Sequence, residues 1–234
     1  METASVAEGS NCIGEWASSS QSTTERVAAR LGREIVQAHR VGGSRLQEMA
    51  LAKQMGVSRG SVREALLVLE RQQLIEIQPR RGAKVREFRK DEISEFSEIY
   101  SDLQKRLVRS LCRLPADVTK ALCVPLEAKR AAVAAGDLEA AMYATEQFIA
   151  VLAAYGDNDY LVNLIRMLAP VRLRLAFRAA SHPNFDPQDD LRYHQALTEA
   201  LGRRDEERLL ELIDAHSRRE RALALELAVG MNGS

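Results

Sequence analysis

Residues 44–85 read SRLQEMALAKQMGVSRGSVREALLVLERQQLIEIQPRRGAKV, and the fold around them turns on Gly56-Val57-Ser58. Upstream, LQEMALAKQM has the pattern of a short helix, which Gly56 stops in the left-handed capping conformation that glycine adopts without steric cost. Ser58 stands where the next helix needs an N-cap, and Val62, Ala65, Leu66 and Leu69 form one apolar stripe along that helix to about Gln72. Only a tight turn separates the two helices, which fixes them across each other; in such a unit the second of the pair enters a DNA major groove. Beyond it LIEIQP alternates as a strand, Arg80-Arg81-Gly82 turns, and AKVREF alternates again, predicting a two-stranded wing.

Outward from this core, a preceding helix is expected from Thr24, with Val27, Leu31, Ile35 and Ala38 at helical spacing and Val41-Gly42-Gly43 ending it. Residues 1–21, rich in Ser, Ala and Glu, are too polar to bury a core and read as a flexible tail. After about Lys90 strand signals vanish. Helices are predicted at 91–112, 116–135, 137–155, 159–180, 188–201 and 205–228, broken at Leu114-Pro115, Gly136-Asp137, Gly156-Asp157-Asn158, His182-Pro183-Asn184 and Gly202. Pro170 predicts a kink. Helices this long joined by loops this short make an antiparallel all-helical bundle. The chain therefore reads as mainly α, with a tail at 1–21, a winged helix-turn-helix at 22–89 and an all-helical unit at 90–230.

The net charge of zero conceals a division. Residues 22–90 hold 15 Lys and Arg against 7 Asp and Glu, residues 91–234 hold 18 against 23, and residues 1–21 hold three Glu and no cation. A basic front joined to an acidic back is the pattern of a polyanion-binding module with a non-binding companion. Cys12, Cys112 and Cys123 are odd in number and lack C-x-x-C spacing, which points away from a disulfide framework or zinc knuckle. No apolar run approaches the roughly 18 residues that span a bilayer, and residues 1–21 lack a signal-peptide pattern, so a cytoplasmic location without membrane contact is expected.

A recognition helix must present donors to phosphates and base edges while its inner face holds the domain together. Arg59 and Arg63 lie one turn apart beside Ser58 and Ser61, and bidentate arginine on guanine is the commonest specific major-groove contact. Arg81 and Gly82 at the wing tip suit an adjacent minor groove. The competing account is that Arg59 and Arg63 only solubilise the helix, paired with Glu64 or Glu70.

The quoted stretch, with its GVSR, VREAL and R-G-A-x-V elements, resembles the winged helix-turn-helix of the GntR family, in its FadR-like branch. The resemblance implies that Arg45, Ser58, Arg59, Ser61, Arg63 and Gly82 lie at or near DNA, and that two copies bind a short palindromic operator as a homodimer. Where the family commonly has Thr then Pro after the SR pair, this chain has Gly60 and Ser61. The helical half resembles the family's FCD ligand-binding domain through Phe148, Asn158, Leu161, His194 and His216. Members with the full ligand set hold a divalent metal with one Asp and three His, close to an organic-acid effector. At the first two ligand positions this chain has Thr145 and Ile149, so the resemblance implies a degraded metal site with His194 and His216 alone, and no cofactor. Glu146, one residue on, is turned by about 100° around the helix and is expected to point elsewhere. Effector contacts are expected from His194, His216, Arg172 and Arg178, the arginines binding a carboxylate of an organic or fatty acid; an arginine row that includes Arg174 also serves as an ordinary solvated face.

Three functions of different classes follow. A ligand-responsive regulator, most often a repressor in this family, needs an effector that prefers one dimer arrangement. A constitutive architectural DNA binder would use the bundle for dimerisation alone. A metal-dependent enzyme built on His194 and His216 lacks supporting features, because no Ser-His-Asp arrangement is evident and the chain has neither H-E-x-x-H nor a phosphate-cradling glycine loop.

Overall fold

The computed structural model describes residues 22–78, 82–114 and 118–229. The expected tail at 1–21, the break at Pro115, and Arg80 and Arg81 at the wing tip lie outside the described residues.

Helix α1 (Thr23–Val36) opens on a capping box: Ser22 Oγ accepts from the Glu25 amide at 3.2 Å, and Glu25 accepts from the Ser22 amide at 2.7 Å. It stops earlier than its apolar spacing predicts, because Ala38 adopts a left-handed φ of 58° instead of extending the stripe. Strand β1 (Arg45–Leu46) and helix α2 (Glu48–Met55) follow, and Gly56 caps α2 at φ 65°. Helix α3 (Arg59–Arg71) starts on Ser58, whose Oγ accepts from the Ser61 amide at 3.1 Å. Strands β2 (Ile75–Gln78) and β3 (Gly82–Val85) form the wing hairpin, and β1 pairs antiparallel with the other edge of β3, Arg45 opposite Lys84 and Leu46 opposite Ala83. The expected two-stranded wing is thus a three-stranded sheet in the order β1-β3-β2. A two-residue strand has too few residues to display alternation, so its sequence carries no signal.

The remaining chain forms α4 (Lys90–Arg113), α5 (Thr119–Ala135), α6 (Leu138–Ala154), α7 (Asp159–Ala180), α8 (Pro187–Arg203) and α9 (Glu206–Val229). Side chains start four of the six: Asp137, Asn158, Asp186 and Asp205 accept from the amides of Ala140, Leu161, Gln188 and Arg208. Gly202 does not end α8; the helix runs through it, and Arg204 supplies the left-handed cap at φ 55°. Pro170 sits inside α7 and Pro125 inside α5. Helices α5 and α6 pack as a hairpin, α4 lies along α9, and α7, α8 and α9 close the bundle over a core containing Leu122, Phe148, Ile165 and Leu209. No described helix is long and apolar enough to cross a membrane.

One feature crosses between the halves. Helix α1 is buried on more than the side facing α3, with Ala28, Ala29, Gly32 and Val36 covered as well, and it also packs against α7. Its apolar cluster continues into Met142 of α6 and Leu173, Ala176 and Ala180 of α7. Gln37, at the end of α1, donates to Glu139 at 2.5 Å and to the Tyr143 hydroxyl at 3.2 Å. Between β3 and α4, Phe88 lies under the guanidinium of Arg174, 4.6 Å from the ring centroid.

Candidate functional site

The outer face of α3 is built by its inner one. Val62, Ala65, Leu66 and Leu69 are buried against α1 and the sheet, which leaves Arg59 and Arg63, one turn apart, exposed on the same flank. Neither pairs with Glu64 or Glu70. Glu64 accepts from Thr24 Oγ1 at 2.8 Å and Glu70 from the Ile77 amide at 2.9 Å. Arg59 reaches Glu48 at 3.7 Å with its side chain 66% exposed, and Arg63 has no ion-pair partner among the described residues. Ser58 and Ser61 share a 2.9 Å hydroxyl contact in the first turn. Arg45 is exposed on β1, and Gly82 opens β3 at φ 82°, a conformation that L side chains disfavour. Arg81 lies outside the described residues. Room is left at Gly60, where a Cβ would meet only the Ser58 hydroxyl at 3.7 Å.

The bundle holds a buried polar centre drawn from five helices. Lys129 of α5 is 1% exposed, and its ammonium donates to Thr145 Oγ1 of α6 and to Asp190 Oδ2 of α8, each at 2.5 Å. The Thr145 hydroxyl in turn donates to the Ala141 carbonyl at 3.2 Å. His194 Nδ1 donates to the Asp190 carbonyl at 2.7 Å, which leaves Nε2 as the acceptor of the neutral ring. His216 of α9 stacks on Tyr193 with centroids 3.8 Å apart. Glu146 is buried and ion-paired to Arg172 of α7, whose Nε has no hydrogen-bond partner.

Charge follows from this geometry. Burial, aided by the Lys129 charge, pulls the His194 imidazole down to about 3, and burial lowers His216 as well. Burial also lowers Lys129, against the opposing pull of Asp190. Burial works against ionisation of Asp190, but His194, Lys129 and His216 together hold its carboxyl below the usual carboxylate range.

Two neighbouring cavities share Thr145, Arg172, Tyr193, His216 and Glu220 as walls. The inner one, about 40 Å³, is closed by Phe148, Ile149 and His194. The other is about 350 Å³, within the size range of small-molecule sites, and extends to Met142, Phe185 and Leu223. Of the residues expected at an effector, Arg172 and His216 line both cavities and His194 the inner one. Arg178 lines neither; its Nε donates to the Ala224 carbonyl at 2.9 Å. Ile149 walls the inner cavity as a purely apolar group, and Glu146 points to Arg172.

Lys129 and Asp190 do not emerge from the sequence reading. Their signal was present: Lys129 occupies the apolar stripe Leu122, Pro125, Lys129, Ala132 of α5, and Asp190 stands one turn before His194 on the same buried face of α8.

Residues 23–85 match the gntR family of bacterial regulatory proteins, and residues 95–219, more than half of the chain, match the FCD domain. The chain belongs to the GntR family, in its FCD-containing branch. GntR regulators bind DNA through the helix-turn-helix, and their FCD domains bind small-molecule effectors; the family and its relatives here are transcription regulators, not enzymes. One relative is the HTH-type transcriptional repressor RspR of Escherichia coli K12, 26% identical over 189 residues, which cover 79% of this chain and 81% of RspR. In fold, this GntR protein is similar to E. coli McbR/YncC at TM-score 0.74 and 22% identity, covering 89% of this chain and 99% of the other. A putative GntR regulator from Rhodococcus sp. RHA1 gives TM-score 0.74 at 21% identity, with 88% and 99% covered.

Proposed function

We propose that this GntR protein is a homodimeric, ligand-responsive repressor in the cytoplasm that binds a short palindromic operator. The observation that carries the reading is the flank of α3, where Arg59 and Arg63 stand exposed beside a serine-capped helix start while the opposite flank is buried. Phosphates are met by Ser58, Ser61 and Arg45, base edges by Arg59 and Arg63, and the adjacent minor groove by the wing residues Arg81 and Gly82. Support for a dimer comes from α7, where Tyr160, Leu164 and Met167, at positions i, i+4 and i+7, are 86%, 43% and 51% exposed. A self-complementary stripe of this kind suits two-fold pairing, which sets two recognition helices on a palindrome.

The effector docks in the cavity of about 350 Å³, with Arg172 the cation for a carboxylate of an organic or fatty acid. Its Nε, buried without a partner, supports that role. The 1–3 kcal/mol typical of coupling between two sites is transmitted through α7, which touches both the cavity and α1.

The test is operator binding by wild type and Arg63→Ala across a salt series. A base-reading Arg63 costs about 1–3 kcal/mol on removal and relaxes discrimination at one position. Unchanged affinity in a folded variant removes α3 from the recognition role. Carboxylic acids added to the same assay report the ligand response, and a panel without effect leaves the architectural binder as the better reading.

A further inference from the structure

The divalent ion of the FCD family needs three or four good ligands, and the donors present do not fit one. Thr145 offers a neutral hydroxyl and Ile149 has no lone pair, so only two imidazoles of the family's set remain, His216 and His194, the latter through Nε2 because its Nδ1 donates to a carbonyl of its own helix. No set of three His, Cys, Asp or Glu side chains among the described residues converges as a metal cluster. At the Thr145 position, where a ligand would face the ion, the neighbour is the Lys129 ammonium at 2.5 Å. Asp190 then bridges the rest of the space: Oδ2 binds Lys129 at 2.5 Å, while Oδ1 lies 3.7 Å from His194 Nδ1 and 3.8 Å from His216 Nε2.

We propose that the Lys129–Asp190 ion pair fills the place the family gives to its metal, so that an internal organic cation holds the centre and no divalent ion enters. The pair does the structural part of an ion's work. It ties α5 to α8 through Asp190 and α5 to α6 through Thr145, and it turns one face of the carboxylate toward both imidazoles. A lysine in the apolar stripe of a helix is costly unless its charge is paired and its protons are bonded, and here Asp190 pairs the charge while two of the three protons are bonded, to Asp190 and Thr145. The ammonium repels a second cation at this distance, and it occupies Oδ2 of the carboxylate, so that Oδ1 alone faces the imidazoles. Because the cation is covalently attached, chelators cannot remove it.

The experiment reads metal content and melting temperature, so neither DNA nor effector enters it. Wild type purified without chelator or metal-affinity resin is expected to carry no stoichiometric zinc, nickel or manganese, and its melting temperature should not rise when these are added. Thr145→Asp with Ile149→His restores the family's ligand set while keeping the ammonium, and this double variant should stay empty. Adding Lys129→Met should then admit about one ion per chain, with an upward melting shift. Stoichiometric metal in wild type that disappears in His194→Ala, or a double variant that binds as tightly as the triple, overturns the proposal. Should the triple variant fail to fold, Lys129→Met is compared with Lys129→Met/Asp190→Asn. A lowered melting temperature that Asp190→Asn largely restores supports the pair as the unit, and no restoration overturns it.

Discussion

His194 illustrates how burial sets chemistry at a single residue. Lys129, Asp190, Tyr193 and His216 all face its ring or lie beside it, and the burial that encloses them lowers the imidazole from 6.5 to about 3. A base depressed in the folded state takes its proton first in the unfolded one. Stability is therefore intact above pH 6.5 and falls as the pH drops toward 3, by about 1.4 kcal/mol per unit. His194→Gln removes that dependence. Chemical denaturation of both proteins at pH 7 and pH 5 should show the advantage of wild type shrinking by about 2 kcal/mol, and an advantage that stays constant defeats the assignment. The sequence alone allowed His194 and His216 to be placed toward one cavity, because their helices and spacing matched a known pattern. It hid Lys129 and Asp190, since partnership between α5 and α8 is a matter of packing across 61 residues and leaves no local trace.

Among the elements, α7 is the one whose two sides do different things. Arg172 lines the cavities, Leu173, Ala176 and Ala180 join the core of the DNA-binding half, and Arg174 covers Phe88 in the connector. Burial lowers the Arg174 guanidinium to about 10, with Arg178 and Arg86 adding to the effect. Leu173 is fully buried, so Leu173→Ala should cost about 2–5 kcal/mol. Calorimetry should show one unfolding transition that moves as a whole; two transitions of which only one shifts would show that α1 and α7 do not share a core. Most helix ends were legible, because Asp137, Asn158 and Gly136 announce caps by residue type. The ends that were misread, at Ala38 and Arg204, are non-glycine residues held at positive φ, a conformation that tertiary contacts impose and composition does not advertise.

The whole molecule is electrically two-sided: 15 Lys and Arg against 7 acids in residues 22–90, 18 against 23 in residues 91–234. Two such chains joined through their acidic halves would hold both basic halves toward one duplex, and the exposed stripe on α7 is the candidate seam. Leu164→Glu with Met167→Glu should convert a dimer at micromolar concentration to a monomer by light scattering. Operator affinity should fall much further than Arg63→Ala lowers it, because a single short helix reads few bases. A variant that remains dimeric moves the seam elsewhere. The bundle, the helix-turn-helix and their order were readable from periodicity, since each helix must bury its own stripe. The join between them was not, because Ala28, Ala29 and Gly32 look like ordinary small residues until α7 is seen against α1. That join limits how this protein can be re-engineered. A sensor swap that grafts residues 22–88 onto a foreign bundle would expose the apolar flank of α1 to water and strand Gln37 without its acceptors. The detached piece would tend to self-associate, so the severable boundary for a chimera lies inside the sensor, with α6 and α7 travelling along with the reader.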